Sequence, residues 1–178
     1  MNIFVAVNQV DEIGYRQTTA LLIAACARQG YVVSLAGVED FSVDVSYGEN
    51  SKLKATYTAR GAILPANSGC NSESVEDFVK SNPPRISSVI KRGDLILIRS
   101  NPGRDIRRSS THQSFLDICR TAQANGIRVV NDPSHLQYFA SKASVAAVDP
   151  KFCPSMILSN RVESIVDFVR RSGTDCVI

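Results

Sequence analysis

Asn2-Ile3-Phe4-Val5-Ala6-Val7 opens the chain with a nearly continuous apolar run, the pattern of a strand covered on both faces and therefore of a parallel sheet. Tyr15 to Gln29 reads as a helix with a broad apolar face formed by Leu21, Leu22, Ala24, Ala25 and Cys26. It stops at Gly30, a residue suited to the left-handed position that follows a helix. Tyr31 to Leu35 predicts the next strand. Strand, helix and strand within about 35 residues is the size of a right-handed βαβ unit.

From 36 to 65 the pattern weakens: Val43, Val45, Ala55, Tyr57 and Ala59 alternate with polar neighbours, which predicts short strands rather than another helix. Ser74 to Lys80 carries a short helical pattern (Val75, Phe78, Val79), and Ser81-Asn82-Pro83-Pro84 ends it, because proline disfavours helical geometry in the residue before it. Regularity returns with a buried strand over Asp94 to Arg99, a helix through Phe115, Ile118, Cys119 and Ala122 up to Gly126, and a strand over Ile127 to Val130. Asn131-Asp132-Pro133 then offers a capping oxygen followed by proline at the first helical position, so a short helix through Ala140 is expected. Asn160 with Glu163 resembles a capping box ahead of the stripe Val162, Ile165, Val166 and Val169. Thr174 to Ile178 reads as a strand just beginning.

Composition narrows the class. The longest apolar run, Ala20 to Ala27, is far below the roughly 18 residues of a membrane span. Polar Asn8, Gln9, Asp11 and Glu12 follow the first apolar run with no basic n-region or cleavage site, so neither membrane insertion nor export is expected. A net charge of +3 argues for no nucleic-acid partner. The charge is uneven, however: seven bases against nine acids up to Ile90, then thirteen against eight from Lys91, so the second half favours an anion. Five widely spaced cysteines without a C-x-x-C pair suggest neither a disulfide framework nor zinc, and fit a reduced, cytoplasmic setting. Cys26 and Cys119, inside helical apolar patterns, read as small buried hydrophobes.

In an open parallel sheet, ligands bind beyond the carboxyl ends of the strands, where the strand order reverses. Three strand ends run into polar loops here: Asn8 to Tyr15, Arg99 to Ser109 and Asn131 to Pro133. Arg99 ends a run of four apolar residues, so a rigid element carries it to the rim, where a guanidinium can grip a carboxylate; the alternative is an ion pair with a loop acid such as Asp105. Arg104, Arg107 and Arg108 form either an anion-attracting cluster or a solvated loop face. His112 and His135 have no partner at metal-ligand spacing and read as helix-surface or capping residues. No serine or cysteine has the setting of a nucleophile, and neither a G-x-G-x-x-G nor a P-loop string occurs. No catalytic or metal-binding residue is assigned. Lys142, between Ser141 and Ala143, is by pattern an ordinary surface lysine.

The order and spacing from Asp94 onward resemble prokaryotic glutathione synthetase. Asp94-Leu-Ile-Leu-Ile-Arg-Ser-Asn-Pro-Gly-Arg-Asp105, Gly126-Ile-Arg-Val-Val-Asn-Asp-Pro-Ser-His-Leu136, Ser141-Lys142 and Cys153-Pro154-Ser155-Met156-Ile157-Leu158 are similar to the family strings D-x-x-L-x-R-x-D-P-P-x-D, G-x-x-V-x-N-x-P-x-x-L, N-E-K-L and the strand T-P-x-T-L-V. Arg16-Gln17-Thr18-Thr19 is similar to the family's K-D-S/T-S/T at the opening of the first helix. The resemblance implies an α/β fold with a doubly wound, mainly parallel, Rossmann-like sheet (residues 1–140, the pre-ATP-grasp domain), then an incomplete piece of an ATP-grasp subdomain (residues 141–178).

It also implies roles. Arg99 would help hold the peptide substrate, Thr18 and Thr19 would stand near it, and Lys142 would be the first of two lysines on ATP phosphates. The implied chemistry is ATP- and Mg²⁺-dependent activation of a carboxylate to an acyl phosphate, followed by amine attack, joining γ-glutamylcysteine to glycine. A small peptide or amino-acid substrate, a cytoplasmic setting and a homo-oligomer fit the family. Asn101-Pro102-Gly103 stands where the family has D-P-P, and Ala140-Ser141-Lys142-Ala143 where it has N-E-K-L, so the substrate can differ. The family's second ATP lysine would fall two residues beyond Ile178, so these 178 residues are expected to lack ligase activity alone. The alternatives are a glutamate-adding ATP-grasp ligase and a naturally short, non-catalytic binding module.

Overall fold

A computed structural model describes residues 1–47, 53–101, 106–139, 144–145 and 148–173. The chain divides into two compact units, Met1–Leu136 and Gln137–Ile178. In the first unit the strands are β1 (Asn2–Val7), β2 (Val32–Gly37), β3 (Phe41–Tyr47), β4 (Leu53–Leu64), β5 (Arg85–Ile90), β6 (Leu95–Ile98) and β7 (Arg128–Val130). Its helices are α1 (Thr18–Arg28), α2 (Ser72–Lys80), α3 (Ser109–Ala124) and α4 (Pro133–Phe139), the last running on past the unit's end.

The fold is mixed α/β. The strands β2, β1, β6 and β7 lie side by side and parallel, with β1 paired to β2 from Asn2↔Val32 and to β6 from Ile3↔Leu95. Both faces of β1 are buried, as its unbroken apolar run requires. Ile3, Val5 and Val7 pack with Ile23, Ala24 and Val75 of α1 and α2, whereas Phe4 and Ala6 pack with Phe115, Leu116 and Cys119 of α3. Side chains alternate across a strand, so one strand feeds two cores and the sheet is helix-covered on both sides. Phe41 meets Phe115 edge to face at 4.9 Å between centroids, a geometry the ring quadrupoles favour.

The weakly alternating stretch after β2 is strand, as expected, but its organisation is antiparallel and less fragmentary. The twelve-residue β4 pairs with β3 through Phe41↔Ala59, with β5 through Tyr57↔Ile90 and with β2 through Val33↔Leu64, all antiparallel. The sheet therefore has a parallel half and an antiparallel extension. Arg85–Ile90 is a strand that the sequence does not announce, because four of its six residues are exposed and no apolar face repeats along it. Where β4 passes β2, a Cβ at Gly61 would lie 2.9 Å from the Leu35 carbonyl oxygen and against the Ser34 hydroxyl, so only glycine fits there.

In the second unit, the described residues form a 3₁₀ turn (Pro150–Phe152) and the helix α5 (Val162–Ser172), which closes on Gly173 at φ +61°. Two expectations are corrected there. Arg161 and not Asn160 precedes the helix, and no side chain caps it; the Ser159 hydroxyl instead accepts the Arg161 N–H at 3.0 Å. Cys153 to Leu158 form no strand, as Pro154 removes a backbone donor that a ladder would need. Lys142 and the strand expected over Thr174 to Ile178 lie outside the described residues.

Candidate functional site

The chain leaves β1 through α1 to β2 on one side, and leaves β6 through α3 to β7 on the other. Strand order thus reverses between β1 and β6, and their carboxyl ends diverge into a crevice of the kind that binds ligands in open α/β sheets. A cavity of about 290 Å³ lies at this place, lined by the residues after β1, the first turn of α1, Arg99 and Asn101.

Each wall has a local cause. Beyond the last paired residues of the two strands, the Arg99 N–H still donates to the Ala6 carbonyl at 2.7 Å. The ladder is then continued by a side chain: Asn8 Oδ1 accepts the Asn101 N–H at 2.6 Å and Asn8 Nδ2 donates to the Asn101 carbonyl at 2.9 Å. The α1 end is set by Gln17, extended at φ −81° and ψ 141°, whose N–H donates to the Gly14 carbonyl and whose side-chain amide donates to the Glu12 carbonyl.

Arg99, Thr18 and Thr19, the three residues expected near a substrate, meet at this cavity. Arg99 Nη2 donates to Thr18 Oγ1 at 2.8 Å and Arg99 Nε donates to Thr19 Oγ1 at 3.3 Å, across 80 residues of sequence. Two of the five guanidinium N–H groups are used in this way. The Nη1 side of the fork makes no hydrogen bond and no ion pair among the described residues. Each threonine oxygen accepts from the cation and keeps its own proton to donate. Asp105, the alternative partner of Arg99, lies outside the described residues, as does Arg104. Arg108 pairs with Glu39 at 3.4 Å, with both side chains substantially exposed, so this member of the basic cluster is engaged on the surface.

His112 is not a surface or capping residue. It is buried on α3, with Nε2 at 2.9 Å from the Ser100 hydroxyl and its ring edge-on to Phe115. Its Nδ1 is buried and has no hydrogen-bond partner among the described residues. That arrangement fits the neutral ring with the proton on Nε2, because an unmet lone pair costs less than a buried unmet N–H. Burial accordingly pulls its pKa below the usual 6.5. Asn131, in the left-handed region at φ +64°, donates from Nδ2 to the Ile98 carbonyl at 2.6 Å. The exit of β6 is therefore tied at successive residues: Ile98 by Asn131, Arg99 by Ala6, Ser100 by His112 and Asn101 by Asn8. The sequence clue to these ties is polar residues placed directly after apolar strand runs.

Among the described residues, no group of three or more His, Cys, Asp or Glu could hold a metal ion, and no helix is long and apolar enough to cross a membrane. Residues 1–137 match the family described as prokaryotic glutathione synthetase, N-terminal domain. No curated protein gives a significant match.

Proposed function

The chain belongs to the family of prokaryotic glutathione synthetase N-terminal domains, and from that membership we propose that its first unit is the peptide-binding part of an ATP-dependent carboxylate–amine ligase. The substrate proposed is γ-glutamylcysteine, to be joined to glycine. The observation that carries this reading is the guanidinium of Arg99, held by Thr18 and Thr19 at the strand-order reversal with its Nη1 side left for a carboxylate. Planar, two-point recognition of carboxylates is what arginine does best. The cavity, about 290 Å³, is at the small end of the roughly 300–1,000 Å³ range of ligand sites, which suits part of a small peptide better than a dinucleotide.

In this reading ATP with Mg²⁺ supplies the phosphoryl group that activates the peptide carboxylate, and Lys142 contacts the phosphates. The described residues bind and orient the peptide, and the 178 residues alone are proposed to give no ATP-dependent peptide formation. A cytoplasmic, homo-oligomeric ligase completes the proposal.

Calorimetric titration of γ-glutamylcysteine into the 178-residue chain tests it. Saturable binding is expected, weakened about 10- to 100-fold by Arg99→Gln, the loss that charge-assisted hydrogen bonds of about 1.5–3 kcal/mol convert to. Absence of binding, or equal affinity in the variant, would contradict the proposal.

A further inference from the structure

Arg99 is not the only charged residue on the cavity wall: Glu12 lines it too, and among the described lining residues these two alone carry charge. They do not neutralise each other. No ion pair joins them, and the Glu12 carboxylate has neither an ion pair nor a hydrogen bond among the described residues. Each is held by its own element. Arg99 is fixed by the two threonines, while Glu12 ends a 3₁₀ turn anchored by buried Val10 and Ile13, with the Ile13 N–H on the Val10 carbonyl and the Glu12 carbonyl accepting from Gln17. Opposite charges in one small cavity, kept apart by separate supports, are complementary to a ligand that brings one charge of each sign.

We infer that this cavity recognises the head group of an α-amino acid, with its carboxylate on Arg99 and its ammonium on Glu12. This rests on the reading of the site as the peptide-binding one and sharpens it. A γ-linked glutamyl residue keeps its α-ammonium and α-carboxylate on one carbon. An α-linked glutamyl residue has the α-carboxylate consumed in the peptide bond. The end of γ-glutamylcysteine seated here is then the glutamyl end, which leaves the cysteinyl carboxylate outside the cavity, and Arg99 and Glu12 together select γ-linked over α-linked peptides, because only the γ-linked form carries both charges on one carbon.

The test is a titration cycle on the full 178-residue chain, with wild type and Glu12→Gln against γ-glutamylcysteine and its N-acetyl derivative; Glu12 is exposed, so the variant keeps its fold. Acetylation is expected to weaken binding to wild type about tenfold or more, and to change binding to Glu12→Gln little. α-Glutamylcysteine should bind wild type at least tenfold more weakly than the γ-isomer. If γ-glutamylcysteine binds in an Arg99-dependent manner but acetylation costs the same in both proteins, the assignment of Glu12 is overturned while the peptide-binding reading stands. If γ-glutamylcysteine does not bind wild type at all, both fall.

Discussion

Asn8 makes a two-point contact with the backbone of Asn101, accepting its N–H at 2.6 Å and donating to its carbonyl at 2.9 Å. One side-chain amide thereby does the work of a further ladder residue between β1 and β6, at the point where the main chains must part to make room for a ligand. Asn8→Ala removes both bonds and is expected to lower the unfolding free energy by about 1 kcal/mol, read from the urea midpoint at constant slope. Asn8→Asp keeps only the acceptor and sets a carboxylate oxygen against the Asn101 carbonyl, so it should be at least as damaging as the alanine variant. A neutral aspartate variant would show that the donated bond is immaterial.

Acid should weaken the fold through His112. Its native pKa lies below the unfolded value because burial disfavours the imidazolium. Below about pH 6.5 the unfolded chain takes up a proton that the native ring resists. The contribution of His112 is thus fully present above that pH and is lost as pH falls toward the depressed native pKa. Urea unfolding between pH 8 and 5 should show this decline in wild type and a flatter profile in His112→Gln. Parallel profiles would count against a neutral, buried ring.

Gly61→Ala should destabilise the first unit by about 1–3 kcal/mol, since the new methyl would press on the Leu35 carbonyl and the Ser34 hydroxyl. Ser34→Ala alone should cost little, because that hydroxyl is buried and makes no hydrogen bond among the described residues. Combining the two should recover part of the Gly61→Ala loss. Strict additivity of the melting shifts would show that the clash lies with the backbone alone.

The Cys119 thiol, wholly buried on α3, has its pKa pushed up to about 12 by desolvation. The thiolate is the reactive form, so at pH 8 Cys119 should resist iodoacetamide in the native protein and react fully in urea, as read by mass spectrometry of the Cys119 peptide. Rapid native labelling would contradict the packing described for α3.

How far the site could be read from sequence follows from where its signals reside. β1 and β6 are visible because two-sided burial demands unbroken apolar runs, and Arg99 is visible because it ends one of them. The meeting of Arg99 with Thr18 and Thr19 was suggested by family resemblance, since periodicity cannot bring together residues 80 apart. His112 deceived because a single polar residue on an amphipathic helix looks solvent-facing, and only its tertiary partner Ser100 makes its burial tolerable. β5 is silent in the sequence for the converse reason: an exposed strand needs no apolar face. Glu12 and Asn8 looked like ordinary loop polarity, and their meaning comes only from the walls opposite.

The most direct test of the central claim is residue-resolved NMR of the ¹⁵N-labelled chain during addition of γ-glutamylcysteine. Saturable shifts are expected at the amides of Thr18, Thr19 and Asn101 and at the Arg99 Nε–H, with Gly93, Gly126 and Arg128 at the opposite ends of the strands unmoved. No saturable shift, or shifts confined to those opposite ends, would contradict a peptide site at the β1–β6 reversal.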